Sequence, residues 1–165
     1  MNKVYLLLGT NLGEKENNID KACEGIENEI GLIYDLSPIY ETEPHGFKHE
    51  SNFLNRVVCI RTCFSADEVL EKILAIELKM GRTRTGGDYQ ARVIDIDILF
   101  FGDQIIEKPG LIVPHPRLQD RKFVLIPLNE IASDLIHPTL KKSVSELLEK
   151  CYDEGMVKKY QSTKE

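Results

Sequence analysis

Two aspartates inside an apolar segment, Asp95 and Asp97, are the residues of this sequence best suited to chemistry. They lie in the run RVIDIDILFF, where isoleucines alternate with the acids, so a strand would place both carboxylates on one face. Residues two apart along a strand are separated by about 6.6–7 Å, and carboxylates at that spacing can share metal ions. Such oxygen ligands suit Mg²⁺, which is often held by one or two carboxylates together with substrate phosphates. The alternative is a half-exposed strand with an acidic outer face, although aspartate is depleted in strands and like charges on one face repel.

A basic loop rich in glycine precedes this acidic strand. Residues 79–92 contain four basic side chains against one acidic one, in a chain whose net charge is −6. The four are Lys79, Arg82, Arg84 and Arg92. Guanidinium groups match phosphate oxygens, and the glycines give the loop freedom to close over a ligand. A solvated loop that balances acidic neighbours is the alternative. Loop and strand together offer what phosphoryl transfer needs, namely Mg²⁺ on the phosphates and cations for the charge of the transition state.

The sequence lacks the patterns that are typical of several other functional classes. The chain has no P-loop and no kinase G-x-G-x-x-G, and GTNLG at residues 9–13 is more typical of a turn from strand to helix. An RNA-binding module of similar topology would carry an aromatic RNP motif and a basic excess, and a nuclease would need an extended basic surface. A non-catalytic ligand sensor stays possible, but it would not need two carboxylates at metal spacing.

Hydrophobic periodicity predicts the elements that position these residues. We expect strands at 3–8, 32–41, 53–62 and 93–101, and helices at 14–30 and at 65–80, the second opened by an S-x-x-E capping box. The C-terminal part is predicted as a Pro-bounded loop at 109–116, an apolar run at 123–126, and short helices at 127–132 and before residue 150. A polar tail follows over 151–165, and its last residues, KKYQSTKE, are expected to fray. The order is that of a ferredoxin-like βαββαβ fold of the α+β class. It predicts an antiparallel sheet with helices on one face, the other face being left for a ligand or the C-terminal extension.

Length and composition set the broad class. A chain of 165 residues that is 42% hydrophobic and 29% charged is expected to form one domain over residues 1–165. The sequence has no apolar run of about 18 residues, and its apolar N-terminal stretch is too short for a secretory signal, which predicts a cytoplasmic protein. The four cysteines form no CxxC pair and the histidines are scattered, so we expect free thiols and no zinc site. The acidic balance disfavours general nucleic-acid binding.

An ordered set of motifs resembles the 6-hydroxymethyl-7,8-dihydropterin pyrophosphokinase family of folate biosynthesis. The resemblance extends from about Lys3 to about Leu148. Its motifs, in chain order, are YLLLGTNLG, SPIYETEPHG, FLNRVV, IELKMGRTR, ARVIDIDIL, VPHPRLQDRKFVLIPLNEIA and the HP at 137–138. The resemblance implies a ferredoxin-like fold and a stand-alone, monomeric enzyme with no nucleic-acid or membrane partner. It also implies a reaction in which the pterin hydroxymethyl oxygen attacks the β-phosphorus of ATP and AMP leaves.

The resemblance implies roles around the nucleotide. Asp95 and Asp97 would bind two Mg²⁺ ions that bridge the carboxylates and the triphosphate of the co-substrate ATP, while Arg82 and Arg92 would be the catalytic cations of the transition state. Further ATP contacts are implied at Glu77, Arg84, Tyr89, Ile98, His115 and Arg121. The stretch DYQAR departs from the family pattern, since Tyr89 stands in place of the common Trp and Gln90 in place of Gly.

The resemblance also implies a flat slot for the pterin. Its residues would be Thr42, Pro44, His45, Phe53, Asn55 and Phe123. Phe53 and Phe123 would stack on the ring, although core packing is the ordinary explanation for both without the family. Asn55 lies two residues after Phe53 on the same strand face, and its amide can both donate to and accept from the pterin edge.

Overall fold

The computed structural model describes residues 1–43, 52–81 and 93–162. The strands in these ranges are β1 (Asn2–Thr10), β2 (Leu32–Leu36), β3 (Tyr40–Thr42), β4 (Phe53–Thr62), β5 (Asp95–Phe101), β6 (Ile106–Lys108), β7 (Leu111–Val113) and β8 (Val157–Lys159). The helices are α1 (Lys15–Glu29), α2 (Ala66–Lys79), α3 (Lys122–Ala132) and α4 (Val144–Glu149), with a 3-10 turn at Leu118–Asp120. None of the helices within the described ranges has the length and apolar content that crossing a membrane requires.

The main sheet has the strand order β5-β1-β4-β3-β8, and β2 pairs with β4 beyond the end of β3. All of its pairings are antiparallel, and β6 with β7 forms a separate two-stranded sheet. Helix α1 connects β1 to β2, and α2 connects β4 to β5. The element order and the antiparallel sheet therefore confirm the predicted ferredoxin-like α+β fold.

Helices α1 and α2 cover one face of the sheet, as predicted. Their apolar stripes pack on the side chains of β1, β4 and β5 that point to this face. The stripe residues are Ile19, Ala22 and Ile26 of α1 and Val69, Ile73 and Ile76 of α2. The expected capping box also opens α2, because Ser65 Oγ accepts from Glu68 N–H at 3.2 Å while the Glu68 carboxylate accepts from Ser65 N–H at 3.0 Å.

The opposite face is covered in part by α3 and α4. Leu125 and Leu128 of α3 and Leu147 of α4 join a second apolar cluster with Leu7 and Val57 of the sheet. The C-terminal extension thus supplies the second layer, which is one of the two occupants predicted for this face. Beside this layer lies the start of β5, where Asp95 is half-buried and Asp97 is exposed.

Three predicted boundaries are wrong. The strand expected over 32–41 is two strands, since Ser37 replaces the regular ladder: its N–H donates to Val57 O at 2.9 Å and its Oγ accepts from Val57 N–H at 3.0 Å. The run 123–126 is not separate from the following helix, because α3 begins at Lys122 and continues through Pro127. The loop at 109–116 contains β7.

The prediction that the last residues, 158–165, fray is also wrong for the first of them. Val157–Lys159 forms β8, which pairs with β3, and Tyr160 N–H donates to Ile39 O at 2.9 Å. The polar sequence of β8 gives no apolar alternation, and its order comes from pairing with a sheet edge and from Lys158 and Lys159 meeting carboxylates of neighbouring elements.

Candidate active site

The acidic pair lies on β5, at an edge of the main sheet. Asp95 is opposite Gly9 of β1 and Asp97 is opposite Leu7, so both side chains project from the face that carries α3. Asp97 is exposed and Asp95 is half-buried, whereas Ile96 between them is buried against α1 and α2. The predicted placement of both carboxylates on one face is confirmed, and that face is open to a ligand.

Glu77 and Ile98 lie at the outer edge of β5. Glu77, in the last turn of α2, is only 3% exposed, and its carboxylate accepts from Ile96 N–H at 2.8 Å. Because backbone groups of alternate residues point to the same side of a strand, Ile98 shares this outer edge with Ile96, while its own side chain is in the core. A nucleotide could therefore meet Ile98 only through its backbone, and Glu77 stabilises the strand that carries the acids.

A buried amide lies two strands away from the acidic pair. Asn55 of β4 is opposite Gly9 on one side and Tyr40 on the other, and its Nδ2 donates to Thr42 Oγ1 at 3.3 Å. Asn55 is 4% exposed and Thr42 is 6% exposed. Phe53 is opposite Thr42 and only half-buried. The structure thus brings three of the predicted pterin contacts together on the face of the acidic pair.

Gly9 belongs to the candidate site but is not among the residues predicted from the sequence, because the predicted first strand, 3–8, ends before it. It lies inside β1, between Asp95 and Asn55. A Cβ at this position would come within 2.9 Å of Asn55 Oδ1, closer than side chains tolerate. The absence of a side chain therefore leaves space over β1 between the acids and the amide. The glycine at the start of GTNLG is the signal that could have identified it.

His115 faces the acidic pair from the segment after β7. Its N–H donates to Leu99 O of β5 at 3.0 Å, and its Nδ1 accepts from Arg117 N–H at 3.2 Å. Burial lowers the pKa of His115 below its ordinary value, Asp97 acts in the opposite direction, and Arg121 and Arg117 lower the pKa further. The imidazole is therefore neutral at pH 7, and the bond at Nδ1 assigns its proton to Nε2, which makes it a hydrogen-bond donor.

The start of α3 brings two further predicted residues to this face. Arg121 is the residue before the first turn, and its guanidinium carbon lies 5.6 Å from the centroid of the Phe123 ring. Phe123 packs against the apolar cluster of this face but is only partly buried. Since Phe53 is also half-exposed, core packing alone does not account for either ring.

Six predicted site residues lie outside the described residues. They are Pro44, His45, Arg82, Arg84, Tyr89 and Arg92. Their roles stay predictions. Glu43 and Asn52 flank the first of the two segments, and Gly81 and Val93 flank the second. Asn52 directly precedes β4, which carries Phe53, and Val93 lies two residues before Asp95 of β5.

The donor set fits the metal expected from the sequence. Within residues 1–43, 52–81 and 93–162, no group of three or more His, Cys, Asp and Glu side chains is arranged to hold a metal ion. Asp95 and Asp97 supply hard oxygen donors from one face of a strand. Two carboxylates suit Mg²⁺, which keeps several water ligands and is completed by substrate phosphates, better than a metal that needs a full protein cage.

Sequence comparison identifies similar proteins over most of the chain. A family model described as 7,8-dihydro-6-hydroxymethylpterin-pyrophosphokinase matches residues 5–133. The 2-amino-4-hydroxy-6-hydroxymethyldihydropteridine pyrophosphokinase of Porphyromonas gingivalis is 41% identical over 138 residues, which is 82% of this chain and 93% of that protein. The protein of the same name from Aquifex aeolicus is 40% identical over 146 residues, 88% of this chain and 90% of that protein.

Longer proteins contain a similar region. A folic acid synthesis protein of Pneumocystis carinii is 37% identical over 150 residues, 91% of this chain, but this chain spans only 20% of its length. The crystal structure of Plasmodium falciparum HPPK-DHPS superimposes with a TM-score of 0.72 at 21% identity, covering 91% of this chain and 43% of that one. At that identity the structural likeness shows the fold.

Proposed function

The chain belongs to the 7,8-dihydro-6-hydroxymethylpterin-pyrophosphokinase family, and from this membership we propose that it transfers diphosphate from ATP to 6-hydroxymethyl-7,8-dihydropterin in folate biosynthesis. The hydroxymethyl oxygen forms a bond to the β-phosphorus while the bond from that phosphorus to the α,β-bridging oxygen breaks. AMP leaves, the hydroxyl proton is released, and the pterin diphosphate is the product.

One observation carries the proposal: Asp95, Gly9 and Asn55 form a row across three adjacent strands on one face. Neighbouring strands are about 4.8 Å apart, so the acidic and amide ends of the row are separated by about 10 Å. A pterin held at the amide end can extend its hydroxymethyl group over Gly9 toward phosphates held at the acidic end. Binding both substrates in this way converts a reaction between two molecules into one within a complex.

The amide end suits a flat heterocycle with polar edges. Asn55 and Thr42 are hydrogen-bonded to each other and buried, so their donors and acceptors are held in place before the ligand arrives. The half-buried rings of Phe53 and Phe123 supply aromatic faces at the same side of the sheet. These groups would fix the orientation of the pterin and exclude water from its ring faces.

The acidic end suits a nucleotide triphosphate. The Nε2–H of His115 can donate to a phosphate oxygen, and Arg121 adds a charge close to it. Asp95 and Asp97 would hold Mg²⁺, which would neutralise phosphate charge and polarise the transferred group. The family resemblance implies that Arg82 and Arg92 act on the transition state, where added positive charge would accelerate the chemical step.

Four further points belong to this proposal. We infer two Mg²⁺ ions per active site and a monomeric enzyme located in the cytoplasm. The net charge of −6 supports the expectation that nucleic acid is not a partner.

Nucleotide analysis by chromatography tests the proposal. The protein is mixed with ATP, Mg²⁺ and 6-hydroxymethyl-7,8-dihydropterin, and a matched sample omits the pterin. AMP that forms only with the pterin, without ADP, is the expected result. ADP in place of AMP would mean transfer of a single phosphoryl group and would overturn the mechanism, and an unchanged nucleotide would overturn the assigned activity.

A further inference from the structure

The C-terminal segment, residues 151–162, contacts two of the elements that carry pterin-side residues, β3 and α3. We propose that Asp153 in this segment is a positioning residue for the pterin end of the site, acting through the start of α3. The proposal rests on the proposed function, because it concerns the affinity of the same site for its pterin substrate. The segment lies beyond residues 5–133, the part of the chain that the family model matches.

Helix α3 has no cap of its own. Arg121, at the position before its first turn, makes no side-chain cap hydrogen bond, and the first turn contains no acidic residue. Such a start leaves backbone N–H groups without partners and a partial positive charge without compensation. Lys122 N–H donates instead to Asp153 Oδ2 at 3.0 Å, a carboxylate 31 residues further along the chain.

The Asp153 carboxylate is itself held in place. Its Oδ1 accepts from Gly155 N–H at 2.8 Å, so both oxygens are engaged. A Cβ on Gly155 would lie 3.0 Å from Asp153 Oδ1, which shows how closely the backbone turns around the carboxylate. The cap is therefore a fixed structure and not a surface side chain that happens to reach the helix.

The residues next to this cap are those of the candidate site. Lys122 lies between Arg121 and Phe123, and a shift of the first turn of α3 would move the Phe123 ring directly. Arg121 has a separate backbone anchor, since its N–H donates to Leu118 O at 3.3 Å. Loss of the Asp153 bond is therefore expected to affect the pterin side more than the nucleotide side.

The same segment also fixes the other side of the slot. Four residues after Asp153, β8 begins and pairs with β3, where Val157 is opposite Thr42. Tyr40 of β3 donates through its hydroxyl to Glu130 Oε1 of α3 at 2.6 Å, and Lys159 Nζ lies 3.5 Å from that carboxylate oxygen. Residues 151–162 thus join the Phe123 side of the slot to the Thr42 side.

Steady-state kinetics of Asp153→Ala in the full-length chain test the proposal. We expect the KM for the pterin to rise about fivefold, comparable to the loss of a typical helix cap, with kcat and the KM for ATP changed less than about twofold. Glu154→Ala is the matched control, since it removes the same charge from the neighbouring exposed residue. A fluorescence titration with the pterin alone should show the same loss of affinity for Asp153→Ala.

Each outcome decides the proposal. An unchanged pterin KM in Asp153→Ala, or an equal rise in both KM values together with a lower melting temperature, would overturn the positioning role. If Asp153→Ala does not fold, Asp153→Asn is measured instead. Its amide has one acceptor oxygen for the two N–H donors of Lys122 and Gly155 and no charge to compensate the helix start, so a rise in pterin KM supports the role and an unchanged value overturns it. Wild-type protein that forms no AMP would instead contradict the proposed function, which separates the two failures.

Discussion

The two aspartates of β5 occupy different surroundings although they share one face. Asp95 is opposite a glycine and half-buried, at the end of the row that leads to Asn55. Asp97 is opposite Leu7, is exposed, and lies close enough to His115 to raise the pKa of that imidazole against the effect of burial. Asp97 is therefore the acid that can be changed with the least effect on packing.

We predict that Asp97→Asn loses activity and keeps the fold. Turnover should fall about 10²- to 10³-fold, the scale seen when one electrostatic contact to the transition state is removed. Thermal unfolding should be unchanged, because the side chain is exposed and the amide has the same size. Asp103→Asn, an exposed acid just beyond β5, is the control and should retain full kcat. A wild-type rate in Asp97→Asn would remove Asp97 from the metal site.

Gly9 allows a prediction that depends on space and not on charge. In Gly9→Ala the new methyl group would lie 2.9 Å from Asn55 Oδ1, so the amide must move. We expect the KM for the pterin to rise, with a stability cost of about 1–3 kcal/mol from overpacking. Kinetics and urea unfolding measure the two effects. Gly25→Ala, in α1 on the other face of the sheet, should leave both KM values unchanged; an unchanged pterin KM in Gly9→Ala would show that the row over β1 is not the substrate path.

The sequence predicts the placement of some site residues better than that of others. The placement of Asp95 and Asp97 follows from the two-residue period of a strand and could be predicted without a partner. The contact between Asp153 and Lys122 could not, because it joins residues that are distant in sequence and neither lies in a repeating pattern. The proximity of Gly9 to Asn55 could not be predicted either, because it depends on the register between β1 and β4.

At the scale of elements, strength of periodicity separates the correct predictions from the wrong ones. Strands β1, β4 and β5 and helices α1 and α2 bury one continuous apolar face, and their sequences show it. β8 contains only Val157 as an apolar residue and exists because β3 offers an unpaired edge. Helix α3 is longer than predicted because a proline is disfavoured inside a helix, and yet Pro127 is the sixth of its eleven residues.

The loop before α4 gives a prediction about pH. His137 is 5% exposed, and its Nδ1 accepts from Thr139 N–H at 3.1 Å and from Leu140 N–H at 3.0 Å. Burial lowers the pKa of His137 below its ordinary value of 6.5. As the pH falls, His137 therefore binds a proton at a higher pH in the unfolded chain than in the folded one. The contribution of neutral, buried His137 to the free energy of unfolding is complete above about pH 6.5 and is lost as the pH falls toward the folded-state pKa.

His137→Asn tests this contribution, since an amide oxygen can replace Nδ1 as acceptor without titrating. The free energy of unfolding in urea should fall between about pH 7.5 and 5.5 in both proteins, and by less in the variant. His115 and the carboxylates are common to both and cancel in the comparison. The same pH dependence in the two proteins would mean that His137 does not titrate with unfolding.

At the scale of the whole molecule, the two faces of the sheet differ in the side chains that they present. The face under α1 and α2 is a continuous apolar layer. The other face is apolar only under α3 and α4. Toward the ends of β5, β4 and β3 its side chains become polar, with Asp95, Asn55 and Thr42. The remaining predicted residues belong to segments 44–51 and 82–92, which lie in the chain between β3 and β4 and between α2 and β5. Fold and site are thus separable, and a change in the site residues is expected to affect ligand binding more than folding.

This separation predicts how metal removal acts on stability. A chelator alone should leave the melting temperature of the free protein unchanged, because the core beneath the site is built from apolar side chains. ATP with Mg²⁺ should raise the melting temperature, by the equivalent of about 2.7 kcal/mol at a ligand concentration of 100 Kd, and excess chelator should remove most of that increase. Asp97→Asn should lose the chelator-sensitive part and retain the part that ATP alone provides through groups such as His115. A chelator-sensitive melting temperature in the absence of ATP would instead indicate a metal that stabilises the fold, and equal stabilisation by ATP with and without Mg²⁺ would place the metal outside nucleotide binding.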